Sequence, residues 1–248
     1  MNVLVFDIET IPDIEGGQAI FDLKGLDDKS TAKAMMHIHQ QKTGSDFLPF
    51  YLHEIVAISV LHRGMGDDMD KSVSVKSLGD ETSTESDLLK LFFEEVDAKT
   101  PDLVSWNGSH FDFPVIRYRA LKNMISLPDH WSEDSDYYHN DVKYELSMYN
   151  PDATGPLDHI AKQLGYPGKM GMDGSQVWDE YQAGNIKTIR DYCETDVLNT
   201  YLIYLRYQLM CSDLTHEELE QEFTLLRDTL KSQAQNGQTH LGAFLKAW

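Results

Sequence analysis

The chain has 248 residues, enough to bury a full core without staples, and suits one large α/β domain with insertions or a domain plus a small appendage. Its 41 acids against 21 bases give a net charge of −20, which favours solubility and argues against non-specific adhesion to a polyanion. Two cysteines without metal-ligand spacing, no apolar run of membrane-spanning length and no signal-peptide pattern point to a cytoplasmic protein with no membrane partner.

Residues 3–10, VLVFDIET, read as a strand buried on both faces. Pro12 and the Gly16–Gly17 pair are expected to break regular structure, and residues 23–42 to follow as a polar helical insertion. On such a helix His37 and His39 diverge and are solvated. Residues 53–64 form a second strand and 72–78 a third, joined by a polar hairpin over 64–71. Thr84 with Asp87 resembles a capping box that opens a helix through Lys99, with Leu88, Leu89, Leu91, Phe92 and Val96 as its apolar stripe. Pro101 stops it. A fourth strand covers 102–108, and a helix with Pro114 in its first turn runs from about Asp112 to Lys122.

Residues 126–141 are acidic and aromatic, with a short strand expected near 139–142. Helices are expected over 156–164 and 176–181, separated by the Gly-rich loop GYPGKMGMDG. The longest helical pattern covers 186–210, and 215–248 reads as a charged amphipathic helix with a short apolar tail. Three strands, a helix, a strand and then helices give an α/β layout with a mixed sheet and helices on both faces.

Chemistry-bearing residues cluster in three places along this layout. Asp7 and Glu9, two apart on a strand, share a face about 7 Å apart. Two carboxylates beside a buried strand repel each other and resist desolvation unless a cation or a shared proton intervenes. Asp112 stands where the fourth strand turns into a helix, a position at which an Asp commonly serves as an N-cap. Tyr192 and Asp196 are four apart and share one helix face.

FDIET, NGSHFD and YCETD, in that order, resemble the three exonuclease motifs of the DEDD superfamily, over roughly residues 1–210. The match is to the family of predicted 3′–5′ exonucleases similar to the proofreading domain of family B DNA polymerases. Tyr192, four before Asp196, indicates the Tyr-type; the His-type wants His where this chain has Asp191. The resemblance implies a ribonuclease-H-like mixed sheet flanked by helices, and no polymerase follows, so a free-standing nuclease is expected. The implied organisation is an exonuclease domain over 1–210, with a helical insertion at about 14–50, and a C-terminal helical extension over 211–248.

The implied activity is hydrolysis of phosphodiester bonds at the 3′ end of single-stranded nucleic acid, DNA favoured, with an RNA exonuclease or a non-catalytic nucleic-acid-binding or scaffold protein as alternatives. Asp7, Glu9, Asp112 and Asp196 would bind two divalent cations, Mg²⁺ or Mn²⁺, ions suited by oxygen-rich sites. Tyr192, whose phenol ionises near pH ~10 when free, would orient water rather than deprotonate it. Thr10, Asn107 and Phe111 are implied near the terminal nucleotide, with Phe111 either stacking on a base or stapling its helix to the core. His110 reads as a loop residue and Trp106 as core. Lys169, in the Gly-rich loop, is expected to meet a phosphate, and Lys162, Lys187, Arg190, Arg117 and Arg119 to form a local cationic rim.

Overall fold

The computed structural model describes residues 1–65, 71–128, 131 and 139–248. The apolar N-terminal run forms β1 (Val3–Pro12). It is followed in the sheet by β2 (His53–Met65), β3 (Lys71–Ser77), β4 (Asp102–Ser105) and the short β5 (His139–Asp141). The sheet order is β3-β2-β1-β4-β5. β1 pairs antiparallel with β2 and parallel with β4, and β5 runs parallel to β4. This is the α/β, ribonuclease-H-like mixed sheet expected from the motifs.

Strand alternation divides the core in two. Leu4, Phe6 and Ile8 of β1 face a cluster that includes Leu88, Phe92 and Val96 of α3 (Glu85–Lys99) and Val115 and Ile116 of α4 (Asp112–Lys122). Val3 and Val5 face the other way, into a cluster dominated by α8 (Ile186–Met210), with α6 (Leu157–Gln163), α9 (His216–Gln235) and α10 (Thr239–Ala247) around it. Within that second layer α8 is buried continuously from Tyr192 to Leu205. The capping box at Thr84 and Asp87 is present as its spacing predicts.

The chain after Pro12 differs from the expectation of a break. Gly16 and Gly17 lie inside α1 (Ile14–Phe21), and α2 (Asp28–Thr43) follows. A side chain at Gly17 would come within 2.2 Å of Met35 Sδ, so this glycine lets two helices approach rather than ending one. The fourth strand stops at Ser105 instead of 108, because Asn107 takes a left-handed conformation with φ 72°. Residues 66–70 of the expected hairpin, and 129–130 and 132–138 of the acidic stretch, lie outside the described residues; β5 falls where a strand was expected.

The Gly-rich loop is flanked by α6 and the short α7 (Val177–Gln182), and a further short helix, α5 (Val142–Leu146), follows β5. Residues 211–248 pack into the same core as α8, through Leu219, Phe223, Leu226, Leu230, Leu241 and Phe244. A buried Arg63–Glu222 pair ties α9 to β2 through two bonds of 2.6 and 2.8 Å. Among the described residues, no helix is long and apolar enough to cross a membrane.

Candidate functional site

Alternation sends Asp7 and Glu9 to the same face as Val3 and Val5, and therefore toward α8. The turn of α8 that meets them carries Tyr192 and Asp196, four apart on its inward side. Asp7 is half-buried; Glu9, Asp196 and Tyr192 are buried. The register of β1 against β2 shifts between Glu9 and Thr10, where Val56 of β2 is the extra residue of a bulge just past the acids.

Asp112 comes from the opposite layer, and the shortness of β4 admits it. β4 pairs with β1 only through Val5, so the edge of β1 beyond that point has no ladder partner on that side. The Ile8 N–H donates to Asp112 Oδ1 at 3.2 Å, filling the gap. Asp112 is thus the first residue of α4 and not its N-cap, and its carboxylate is used on the strand. The loop before it is shaped by Asp141 at the end of β5, whose carboxylate accepts from the N–H groups of Asn107 at 2.8 Å and Ser109 at 3.0 Å.

The electrostatics follow from burial and crowding. The Asp7 carboxyl is raised well above its ordinary value, first by burial and then by Asp112 and Asp196. Glu9 is raised by burial, Asp7, Asp196 and Asp112. Burial pushes Asp112 up to about 7 and Asp196 up to about 6. Asp196 Oδ1 is buried with no hydrogen-bond partner among the described residues. Four crowded carboxylates with a bare oxygen fit hard cations such as Mg²⁺ or Mn²⁺, which bring positive charge to oxygen donors.

Cys193 adds a donor that sequence reading missed. Its thiol reaches the Asp7 backbone carbonyl at 3.4 Å and Asp7 Oδ2 at 3.5 Å. One ligand atom each of Asp7, Glu9 and Cys193 lies within 4.8 Å of the others. A lone Cys inside an apolar helix carries no spacing signal. Asp141 was hidden for a different reason: it sits among many acids, and only the fold singles it out.

Thr10, Asn107 and Phe111 line one cleft with Glu9, a cavity of about 600 Å³ that Phe47 and Trp178 also border. Asn107 accepts a bond from Lys143 Nζ at 2.8 Å. Lys169 stands 5.8 Å over the Tyr192 ring, and its charge lowers Asp7, Glu9 and Asp196 against their other influences. Its loop is pinned: Asn199 of α8 accepts from the Gly168 N–H at 3.1 Å and donates to its carbonyl at 3.0 Å, and Asp158 accepts from the Lys169 N–H at 2.7 Å.

Four of the remaining cations expected at the rim make contacts within the fold. Arg190 donates to the carbonyls of Leu78 and Gly79 after β3, at 2.7 and 2.8 Å. Arg119 is buried against Asp13 and Glu85. Lys162 and Lys187 pair with Asp158 and Asp191 on their own helices. Arg117 is exposed on α4. Trp106 packs at the edge of the core as expected, and His110 stacks on Tyr144 with ring centroids 4.0 Å apart.

No curated protein matches the sequence significantly. Among solved structures, the family B DNA polymerase of Pyrobaculum calidifontis is 18% identical with a TM-score of 0.49, covering 84% of this chain and 24% of its own. E. coli exonuclease I bound to a dT13 oligonucleotide is 12% identical with a TM-score of 0.39, covering 85% and 45%. The chain thus spans about a quarter of that polymerase and under half of exonuclease I. A family model matches residues 45–248, beginning after Asp7 and Glu9, whose place beside Asp112 and Asp196 is given by the strand geometry. On that match over most of its length, the chain belongs to the family of predicted 3′–5′ exonucleases related to the exonuclease domain of PolB.

Proposed function

We propose that the protein is a metal-dependent exonuclease that hydrolyses phosphodiester bonds at the 3′ end of a single strand, DNA favoured over RNA. The observation that carries this reading is the convergence of four carboxylates from β1, α4 and α8, one of them with a buried oxygen unpartnered among the described residues. Asp7, Glu9, Asp112 and Asp196 would hold two divalent cations, Mg²⁺ or Mn²⁺. When bound, such ions neutralise the acids, activate a water for attack on phosphorus and stabilise the leaving 3′ oxygen.

The protein's own groups position the rest. Burial, with Asp196 and Glu9 beside it, raises the Tyr192 phenol well above its ordinary value, so it keeps its proton and acts as a donor that orients, not as a base. Lys169, whose positive charge acts on Asp7, Glu9 and Asp196, is assigned to a substrate phosphate. Thr10, Asn107 and Phe111, around the adjoining cleft, are assigned to the terminal nucleotide. We assign residues 1–210 to the exonuclease domain and 211–248 to an extension sharing its core, in a cytoplasmic protein whose two thiols, Cys193 and Cys211, are both free.

The test is incubation of end-labelled single-stranded DNA and RNA with the protein and Mg²⁺ or Mn²⁺. Stepwise shortening from the 3′ end that stops on chelation is expected, faster on DNA. Degradation undiminished in EDTA, or shortening from the 5′ end, would overturn the reading.

A further inference from the structure

The helical insertion ends in a loop that reaches the cleft beside the acids, and that loop presents an aromatic ring that packing does not account for. Phe47 remains 54% exposed while lining the same cleft as Glu9, Thr10 and Asn107. Its loop is held in place. His53 Nε2 is 3.0 Å from the Leu48 carbonyl and Nδ1 is 2.9 Å from the Thr10 hydroxyl. A carbonyl can only accept, so Nε2 carries the proton; in the neutral ring Nδ1 then accepts from Thr10. This relay fixes the residue after Phe47 to the residue after Glu9. The Phe47 N–H also donates to Ser45 Oγ at 3.2 Å.

Phe111 is differently placed. It is half-buried, meets Phe50 and His53 edge-on at 75° and 89°, and packs against the core cluster that contains α4. Phe47 leans on it with ring centroids 5.9 Å apart and on His53 at 5.1 Å. Phe111 and His53 are therefore the backing, and the open ring is Phe47.

We propose that Phe47 is the platform on which the 3′-terminal nucleobase stacks, so that the insertion supplies the base subsite of the enzyme. This rests on the exonuclease reading above and moves the stacking role from Phe111 to Phe47. Every base has a π-face, so the platform tolerates sequence. A terminal base paired to a complement has to leave its partner to reach the ring, which favours frayed or single-stranded ends.

Two oligodeoxynucleotides test this, identical except that one ends in 2-aminopurine and the other in an abasic residue. Binding is read by 2-aminopurine fluorescence in Ca²⁺, and cleavage by kcat/KM in Mn²⁺. The expected result is quenching by the wild type and a preference for the base-terminated strand of about 5- to 150-fold. Both should be lost in Phe47→Leu and Phe47→Ala and return in Phe47→Trp. Preference and quenching that survive Phe47→Leu, alongside normal cleavage, overturn the subsite alone. Quenching that depends on Phe47 without any cleavage from the 3′ end would uphold the subsite and overturn the exonuclease reading. Neither quenching nor cleavage by the wild type would overturn both.

Discussion

Tyr192 and Asp196 sit one turn apart on α8 but carry separable duties. Asp196 offers a buried oxygen with no partner among the described residues, which suits the proposed ligand role, whereas Tyr192 keeps its proton. Asp196→Asn should therefore weaken Mn²⁺ binding, measured by calorimetry or by paramagnetic resonance of free Mn²⁺, and nearly eliminate turnover. Tyr192→Phe should leave binding intact and slow turnover by ~10²–10⁴-fold, typical of a positioned acid-base or orienting group. Asp112 gives a pH signature in the metal-free protein. Its folded pKa of about 7 lies above the ordinary carboxylate value, so between those limits the fold holds a proton that the unfolded chain has lost. Stability in EDTA should then fall as pH rises from about 4 to 7. Asp112→Asn retains an acceptor for Ile8 N–H, and it should flatten that slope and melt several degrees higher at pH 8 in EDTA. A slope unchanged by the substitution would place the effect elsewhere. Lys169→Ala should raise KM at moderate salt and shallow the log affinity–log salt slope by about 0.7, the share of one phosphate on a single strand.

At the scale of elements, α9 is joined to the sheet by Glu222, which takes both Arg63 bonds and a third from the Tyr201 hydroxyl at 3.2 Å. Although burial opposes its charge, the Arg63 bonds hold Glu222 below its ordinary value. Glu222→Ala leaves a buried guanidinium without its counter-ion and should cost about 3–5 kcal/mol in denaturant unfolding. A loss under ~1 kcal/mol would mean that Arg63 finds water instead. Elements whose signal is local were legible in the sequence. Period two placed Asp7 with Glu9, and the four-residue spacing placed Tyr192 with Asp196. What depends on a distant neighbour was not. Gly17 looks like a breaker until Met35 is set against it. Arg190 looks like a phosphate contact until the carbonyls after β3 occupy its guanidinium. Phe47 offers no pattern at all, because a single aromatic in a loop acquires meaning only from the cleft it borders.

For the whole molecule, a net charge of −20 sets a background against which the site must work. It repels a polyanion at long range and is screened beyond about 8 Å at physiological salt, so productive contact is confined to the few groups close to the acids. The four carboxylates belong to both core layers: Asp196 to the α8 side, Asp112 to the α4 side, with β1 carrying Asp7 and Glu9 between them. The early end of β4 is what lets the layers meet there, since the Asp112 side chain takes the place of a ladder partner at Ile8. That one hydrogen bond joins the layers where the β1–β4 ladder has already ended, and a divalent ion would act as a rivet through it. Amide exchange should report the difference. Adding Mn²⁺ or Mg²⁺ should slow exchange together at Ile8, in the first turn of α4 and around Tyr192–Asp196, while the β2–β3 ladder stays as it was. Protection spread evenly over the chain would instead describe an ion that only relieves general charge, and would leave the two layers mechanically independent at their closest approach.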